Sequence, residues 1–217
     1  LPTAALAAPA LLALTIAVGA PLDVLAHRED SWPPGILRFA VEYETGVQLD
    51  LVIMPADQRP GLPEGSIAVV DKDDRLSETW VPPVASASDE QAREWVMLGW
   101  WALSNTAKYV RRGSLFEAVE SLREARTQAL RLFAAGRGVP YPSFGLTTLL
   151  DVEPFELPAR LEDTYSQPTD PAGILAAAWA IADLLRSAAS AAGEALGTDL
   201  STSWRAVAEA RLRVAGG

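Results

Sequence analysis

The dipeptide Pro82-Pro83 divides the chain into two parts with different local patterns. Short apolar runs and alternating segments, which are typical of strands, dominate before it. Longer segments bounded by helix-capping residues follow it. The sequence therefore predicts an α+β protein, with a partial mixed sheet in residues 1–83 and a C-terminal helical bundle in residues 84–217.

The first part contains four predicted strands after a short apolar helix. The helix is predicted over Pro9 to Val18, with Gly19 closing it. The strands are predicted over four segments: Leu22 to His27, Ile36 to Glu44, Val47 to Met54 and Ser66 to Val70. The second and third form a hairpin if Thr45-Gly46 is a two-residue turn. A helix followed by a strand and a hairpin indicates a mixed sheet.

The second part contains four predicted helices, each placed by its terminal residues. The first helix begins at the capping pair Ser88 and Gln91 and runs to Arg112, with Gly113 as its stop. The second begins at the pair Ser114 and Glu117 and ends before Gly136. The third begins at Asp170, with Pro171 at its first position, and ends before Gly197, and the last begins near Ser203.

Composition excludes several kinds of chemistry. The formal net charge is −10, so no basic surface for nucleic acid is indicated, whereas a cationic small molecule is electrostatically favoured. The chain has no cysteine, and His27 is its single histidine, which excludes disulfides, thiolate chemistry and histidine-rich metal sites. Catalysis would have to use carboxylates, hydroxyls and basic side chains.

The apolar N-terminal region does not have the pattern of a membrane segment. Among the first 26 residues only Asp23 is charged. A secretory signal requires a Lys or Arg before its apolar run, and none is present there. Pro9, Gly19 and Pro21 also divide it into pieces too short to cross a bilayer. We expect no membrane association and a cytoplasmic protein.

Asp50 is the most informative single residue because it lies within an apolar strand. Burying a carboxylate is costly unless it is paired, hydrogen-bonded or bound to a metal. A two-residue turn would place Asp50 opposite Val41 and would pair Glu42 with Leu49, on the other face. Without further information, Asp50 is also compatible with an ordinary residue on a solvated sheet face.

The order of several segments resembles that of bacterial nucleotidyltransferases. The segments are Pro21-Leu22-Asp23-Val24-Leu25-Ala26-His27-Arg28-Glu29-Asp30, Val47-Gln48-Leu49-Asp50-Leu51-Val52, Trp100-Trp101-Ala102-Leu103, Ala107-Lys108-Tyr109-Val110-Arg111-Arg112-Gly113 and Leu115-Phe116-Glu117-Ala118. From about Pro9 to Tyr165, the chain is similar to the polymerase-β-like superfamily that includes the aminoglycoside adenylyltransferases.

This resemblance implies transfer of a nucleoside monophosphate from ATP to the hydroxyl of a small molecule, with Mg²⁺ as cofactor. Asp50 would then be a metal ligand or the general base. Lys108 would contact the triphosphate with Asn105 and Arg112. Ser104 and Arg111 are also three or four residues from Lys108 and therefore near its face. A solvated helix end, favoured by the helix dipole, equally accounts for these basic residues.

Two further residues are candidate substrate contacts. His27 is expected in a loop at the rim of the cleft, where a surface loop without a role is the alternative. Trp101 is one helical turn from Asn105 and would stack on a ring of the nucleotide or substrate, with core packing as the alternative.

The family's first two metal-binding carboxylates are missing upstream of Asp50. They belong to a Gly-Ser … Asp-x-Asp segment, and no such segment precedes Asp50. Gly65-Ser66 and Asp71-Lys72-Asp73 resemble it in the wrong chain order, so the aspartates are predicted to form a turn. The chain as given should therefore be inactive.

Three functional hypotheses follow. The first is a nucleotidyltransferase, of which the chain contains the third acidic strand and the helical substrate domain. The second is a ligand-binding or interaction protein that keeps a degenerate nucleotidyltransferase fold without catalysis. The third is an α-helical scaffold whose hairpin has only a structural role.

Overall fold

The computed structural model describes residues 18–27, 36–58, 61–63, 65–81, 86–152, 154, 156–167 and 170–217. These residues belong to two compact units, Leu1–Pro82 and Pro83–Gly217. The division lies one residue before the boundary expected from the sequence. Apart from Val18, the predicted N-terminal helix lies outside the described residues.

The first unit contains a three-stranded sheet. Its strands are β1 (Pro21–His27), β2 (Leu37–Tyr43) and β3 (Gln48–Ile53), in the order β1-β2-β3. Both described pairings are antiparallel, whereas the sequence indicated a mixed sheet. Phe39, Val41 and Tyr43 are buried on one face of β2, and apolar residues of β3 pack beside them.

The hairpin between β2 and β3 has a three-residue loop, so the predicted register is wrong by one residue. The Gly46 amide donates to the Tyr43 carbonyl at 2.8 Å, and the Tyr43 amide donates to the Val47 carbonyl at 3.0 Å. Gly46 has a φ of 78°, which is the left-handed conformation that a three-residue hairpin loop requires. Ala40 consequently pairs with Asp50, and Glu42 pairs with Gln48.

The predicted strand over Ser66 to Val70 does not form. The segment has no regular secondary structure, and Ile67 and Val69 are 86% and 92% exposed. Near it, the described residues contain one isolated bridge, between Leu62 and Thr79. Apolar β-branched residues do not make a strand without a neighbouring strand to accept their backbone hydrogen bonds.

The described residues of the second unit form a bundle of five helices, so the α+β class and the C-terminal helical arrangement are confirmed. The helices are α1 (Asp89–Arg111), α2 (Leu115–Gly136), the short α3 (Leu146–Asp151), α4 (Pro171–Leu196) and α5 (Trp204–Gly216). Helix α1 packs against α2, α4 and α5, and α2 packs against α4. The core contains these fully buried large side chains: Trp100, Leu103, Leu122, Leu132, Ile181, Leu185 and Leu212.

The capping signals place most of the long helices. The side chains of Ser88 and Gln91 form the predicted capping box at the start of α1. Asp170 accepts the Ala172 amide at 3.1 Å, and Gly197 ends α4 with a φ of 67°. The second predicted box is wrong, because the Ser114 side chain makes no capping hydrogen bond.

Helix α4 is long and apolar enough to cross a membrane by length and composition alone. In the bundle, however, its side chains Ile181 and Leu185 are completely buried in a core shared with the other helices. A buried core helix of a bundle has the same composition as a membrane span, so this signal is weak evidence for membrane insertion.

Candidate functional site

The polar face of the three-stranded sheet is the first candidate site. The backbone register places Arg38, Ala40 and Glu42 of β2 on the same face as Gln48 and Asp50 of β3. The opposite face contains the apolar side chains that form the core of this unit. Because the two faces differ so clearly in polarity, this surface is where the sheet can contact a polar ligand.

Asp50 is exposed and forms an ion pair with Arg38. Arg38 Nη2 donates a hydrogen bond to Asp50 Oδ2 at 2.7 Å. The side chain of Arg38 is 39% exposed and that of Asp50 is 57% exposed. A pair this accessible contributes only about 0–1 kcal/mol to stability. Asp50 is therefore not a buried carboxylate that holds the fold together, and its location is compatible with either a solvated surface residue or a reactive one.

The observed register changes which carboxylates accompany Asp50. Glu42 lies on the same face as Asp50, and the prediction that it faces away is wrong. Asp23 of β1 pairs with Glu42, so three carboxylates belong to this face. Asp23, Glu42, Gln48 and Asp50 line a shallow depression of about 620 Å³ with apolar strand residues between them.

These carboxylates do not form a metal site by themselves. Across the described parts of the chain, no group of three histidine, aspartate or glutamate side chains is arranged to hold a metal ion. One oxygen of Asp50 is also occupied by the Arg38 guanidinium. Magnesium is commonly bound by one or two carboxylates together with the oxygens of a substrate phosphate, so the described carboxylates do not form a complete magnesium site without a ligand.

The look-alike segment after Asp50 is a turn, as the sequence predicted. The Asp71 carboxylate accepts the backbone amides of Arg75 at 3.1 Å and Leu76 at 2.8 Å. These hydrogen bonds, that from Leu76 above all, lower the pKa of Asp71 below its ordinary value. Asp74 has a φ of 53°, which is accessible to aspartate in tight turns.

His27 is the last residue of β1, not a loop residue as expected. Its backbone pairs with that of Arg38, the residue that holds Asp50. The strand predicted over Leu22 to His27 forms, and it begins one residue earlier, at Pro21. Its assignment as a substrate contact stays a prediction.

Helix α1 places the other four predicted residues in a single stripe. Trp101, Asn105, Lys108 and Arg112 follow each other at intervals of three or four residues, so they lie along one side of the helix. Lys108 Nζ donates to Asn105 Oδ1 at 2.8 Å and lies 4.2 Å from the centre of the Tyr109 ring. Trp101 is 50% exposed, so core packing does not account for it.

The stripe ends at a pocket of about 400 Å³ that the sequence did not reveal completely. Lys108 and Arg111 of α1 and Arg112, the residue just after α1, line it together with Arg211 of α5. Arg211 Nη1 donates to Ser104 Oγ at 2.6 Å, and Ser104 is completely buried. Arg211 is 103 positions from Lys108, and no local pattern associates the two residues; only the packing of α5 on α1 does.

Comparison with known proteins shows a similarity of fold. No protein-family model matches the chain, and no curated protein matches it. Among solved structures, it is similar to the crystal structure of an aminoglycoside 6-adenyltransferase from Bacillus subtilis, with a TM-score of 0.52 and 16% identity, covering 93% of this chain and 80% of that one. At this identity the likeness shows a nucleotidyltransferase-like fold and nothing about activity.

Proposed function

We propose that the protein is a cytoplasmic nucleotidyltransferase that moves a nucleoside monophosphate from ATP to a hydroxyl group of a small molecule. One observation carries the proposal. Asp50 is open to solvent on the polar face of a sheet, in a fold similar to that of an adenyltransferase. The neighbouring carboxylates Asp23 and Glu42 make this face negative, which favours a cationic acceptor.

The proposed reaction is an in-line displacement at the α-phosphorus. The acceptor oxygen forms a bond to this phosphorus, the bond to the bridging oxygen breaks, and pyrophosphate leaves. Asp50 is the proposed acceptor of the hydroxyl proton. Lys108, Asn105 and Arg112 are the proposed contacts of the triphosphate, and Trp101 is the proposed stacking surface for a ring. Mg²⁺ enters the proposal through the resemblance, because no group of three carboxylates among the described residues could hold a metal ion.

The test is to look for the product. Protein expressed from its complete coding sequence is incubated with ATP, Mg²⁺ and a panel of cationic hydroxyl compounds, and mass spectrometry detects an acceptor that has gained a nucleoside monophosphate. We expect such a product from the wild type and none from Asp50→Asn. An equal yield from the Asp50→Asn variant would contradict the assignment of Asp50.

A second candidate is a ligand-binding protein that keeps the fold without catalysis. The observation that favours it is the ion pair of Asp50 with Arg38, together with the absence, among the described residues, of three carboxylates placed to hold a metal ion. It predicts that no compound in the panel gains a nucleoside monophosphate. A ligand from the same panel would still raise the melting temperature, because binding to the folded state stabilises it.

A further inference from the structure

The pocket between α1 and α5 has an unusual charge for this protein. Its lining consists of Ala107 and four cationic side chains, those of Lys108, Arg111, Arg112 and Arg211, and it includes no carboxylate. The chain as a whole has a net charge of −10. Four positive groups around about 400 Å³ therefore form a local site of opposite sign to the rest of the molecule.

These four cations are not neutralised by carboxylates. Among the described residues, none of the four forms a salt bridge with Asp or Glu. Six other arginines of the helical unit do: Arg123, Arg137, Arg160, Arg186, Arg205 and Arg213. The pocket thus brings together four of the helical unit's cations that have no carboxylate partner among the described residues; the others, Arg93, Arg126 and Arg131, donate to neutral oxygen atoms elsewhere in the unit.

Two of the cations are held in position by neutral partners. The Arg211 guanidinium donates to the buried hydroxyl of Ser104 at 2.6 Å, which fixes one end of it against α1. Lys108 donates to the Asn105 side chain at 2.8 Å. Neutral acceptors orient both groups without cancelling their charge, so their remaining N–H donors are available to an anion.

The helix dipole explains only part of this arrangement. Lys108 and Arg111 lie in the last turn of α1, where a positive charge is stabilised by about 0.3–1 kcal/mol. The dipole of α1 does not explain why Arg211, from another helix, is hydrogen-bonded to α1 and lines the same pocket. Convergence of cations from two helices is the arrangement that binds multiply charged phosphates.

We propose that this pocket binds the phosphate chain of a small molecule, a di- or triphosphate, with Arg211 and Lys108 as direct ligands. Its volume is within the range of small-molecule sites. Assigning the bound chain to the donor nucleotide rests on the proposed function. Binding of an oligophosphate as such does not, because it requires neither Asp50 nor turnover.

The experiment is isothermal titration calorimetry, in which inorganic tripolyphosphate is added to the 217-residue protein without divalent metal. A salt concentration of about 0.15 M screens the interactions between distant charges. The variants are Arg211→Gln and Lys108→Gln. Arg123→Gln is the matched control, because it removes one positive charge from an exposed α2 residue whose guanidinium is paired with Glu120. Far-ultraviolet circular dichroism verifies that each variant is folded.

We expect saturable binding that Arg211→Gln and Lys108→Gln each weaken about tenfold or more, since each loses a charge-assisted hydrogen bond. Arg123→Gln should change the dissociation constant less than about twofold. Ser104→Ala, which leaves every charge in place, should weaken binding by an intermediate factor because it releases Arg211. ATP should bind about as tightly as tripolyphosphate, and AMP clearly more weakly.

The inference is overturned if tripolyphosphate does not bind, or if Arg123→Gln weakens binding as much as Arg211→Gln. The second result would mean that net charge, not this pocket, attracts the anion. Asp50→Asn, measured in protein from the complete coding sequence, separates the two proposals, because it should lower the rate of nucleotidyl transfer at least about 100-fold while leaving tripolyphosphate binding unchanged. Transfer that persists in Asp50→Asn would contradict the proposed function and leave this inference intact. Absence of tripolyphosphate binding by the wild type would overturn this inference and leave the role of Asp50 intact.

Discussion

Replacement of Gly136 by alanine tests how closely helices α2 and α4 approach each other. A Cβ atom at this position would lie 2.9 Å from the Ala192 nitrogen and 3.0 Å from both the carbonyl carbon and the Cβ of Ala191. Two of these three atoms belong to the backbone of α4. The new methyl group therefore cannot be accommodated by a side-chain rotation, and one helix must move.

The magnitude follows from two opposing effects. Overpacking a well-ordered core costs about 1–3 kcal/mol. Because the backbone of a helix must move here, we expect a cost near the upper end of this range. Alanine in place of glycine regains up to about 1 kcal/mol of helix propensity. We therefore expect Gly136→Ala to lower the free energy of unfolding of the helical unit by about 1–2 kcal/mol.

The assay is urea denaturation followed by tryptophan fluorescence, because five of the seven tryptophans belong to the helical unit: Trp95, Trp100, Trp101, Trp179 and Trp204. Gly216→Ala is the matched control. Gly216 is also the last residue of its helix, but its Cβ would meet nothing closer than 4.0 Å. The reasoning is refuted if Gly136→Ala is as stable as the wild type, or if both variants are destabilised equally.

Two further predictions concern helix ends and pH. Ser88→Ala should cost about 1 kcal/mol because it removes the capping box of α1, whereas Ser114→Ala should cost less than about 0.5 kcal/mol because its side chain makes no cap; urea midpoints measured side by side would contradict this if the order were reversed. Glu209 accepts a hydrogen bond from Arg205 at 2.9 Å, and this bond, with the nearby Arg186, lowers its pKa below 4.5. Because its pKa is lower in the folded state than in the unfolded state, the ionised Glu209 carboxylate stabilises the fold above the unfolded pKa, and this stability is lost as the pH falls through the folded pKa. Glu209→Gln should therefore lose less stability than the wild type between about pH 6 and pH 3. An identical pH dependence of the urea midpoints of the two proteins would refute this.

Local signals in the sequence were sufficient for most of the helical unit. The Ser88–Gln91 box and the Asp170–Pro171 start act within one turn of the helix they begin, so they can be recognised without tertiary information. The same pattern at Ser114 failed. A short connection after Gly113 joins α1 to α2, and the Ser114 backbone, at φ −83° and ψ 68°, is not in the extended conformation that a capping side chain requires.

The sheet shows how one residue changes a functional interpretation. Thr45-Gly46 was expected to be a two-residue turn, but Glu44 joins it in a three-residue loop with Gly46 in the left-handed conformation. The two-residue turn and the three-residue loop are both compatible with Gly46, since each favours glycine at a position of positive φ. The extra residue transfers Glu42 to the face of Asp50, and sequence alone does not determine this choice.

The candidate ligands of the helical unit were only partly predictable. Lys108, Asn105 and Arg112 share a face because of helical spacing, which the sequence contains. Arg211 joins them through the packing of α5 on α1 and through its hydrogen bond to Ser104. Such long-range contacts depend on how the whole core packs, so the spacing of residues within one helix does not predict them.

The most direct test of the account is the rate of nucleotidyl transfer by Asp50→Asn compared with Asp57→Asn, in protein from the complete coding sequence with ATP and an acceptor. Asp57 is an exposed aspartate shortly after the same strand, so the two substitutions remove the same charge. Because a positioned acid or base contributes about 10²–10⁴-fold to a rate, Asp50→Asn should lower kcat by at least about 100-fold and Asp57→Asn by less than about twofold. Equal rates for the two variants would contradict the central claim that the polar face of the sheet is the reacting surface.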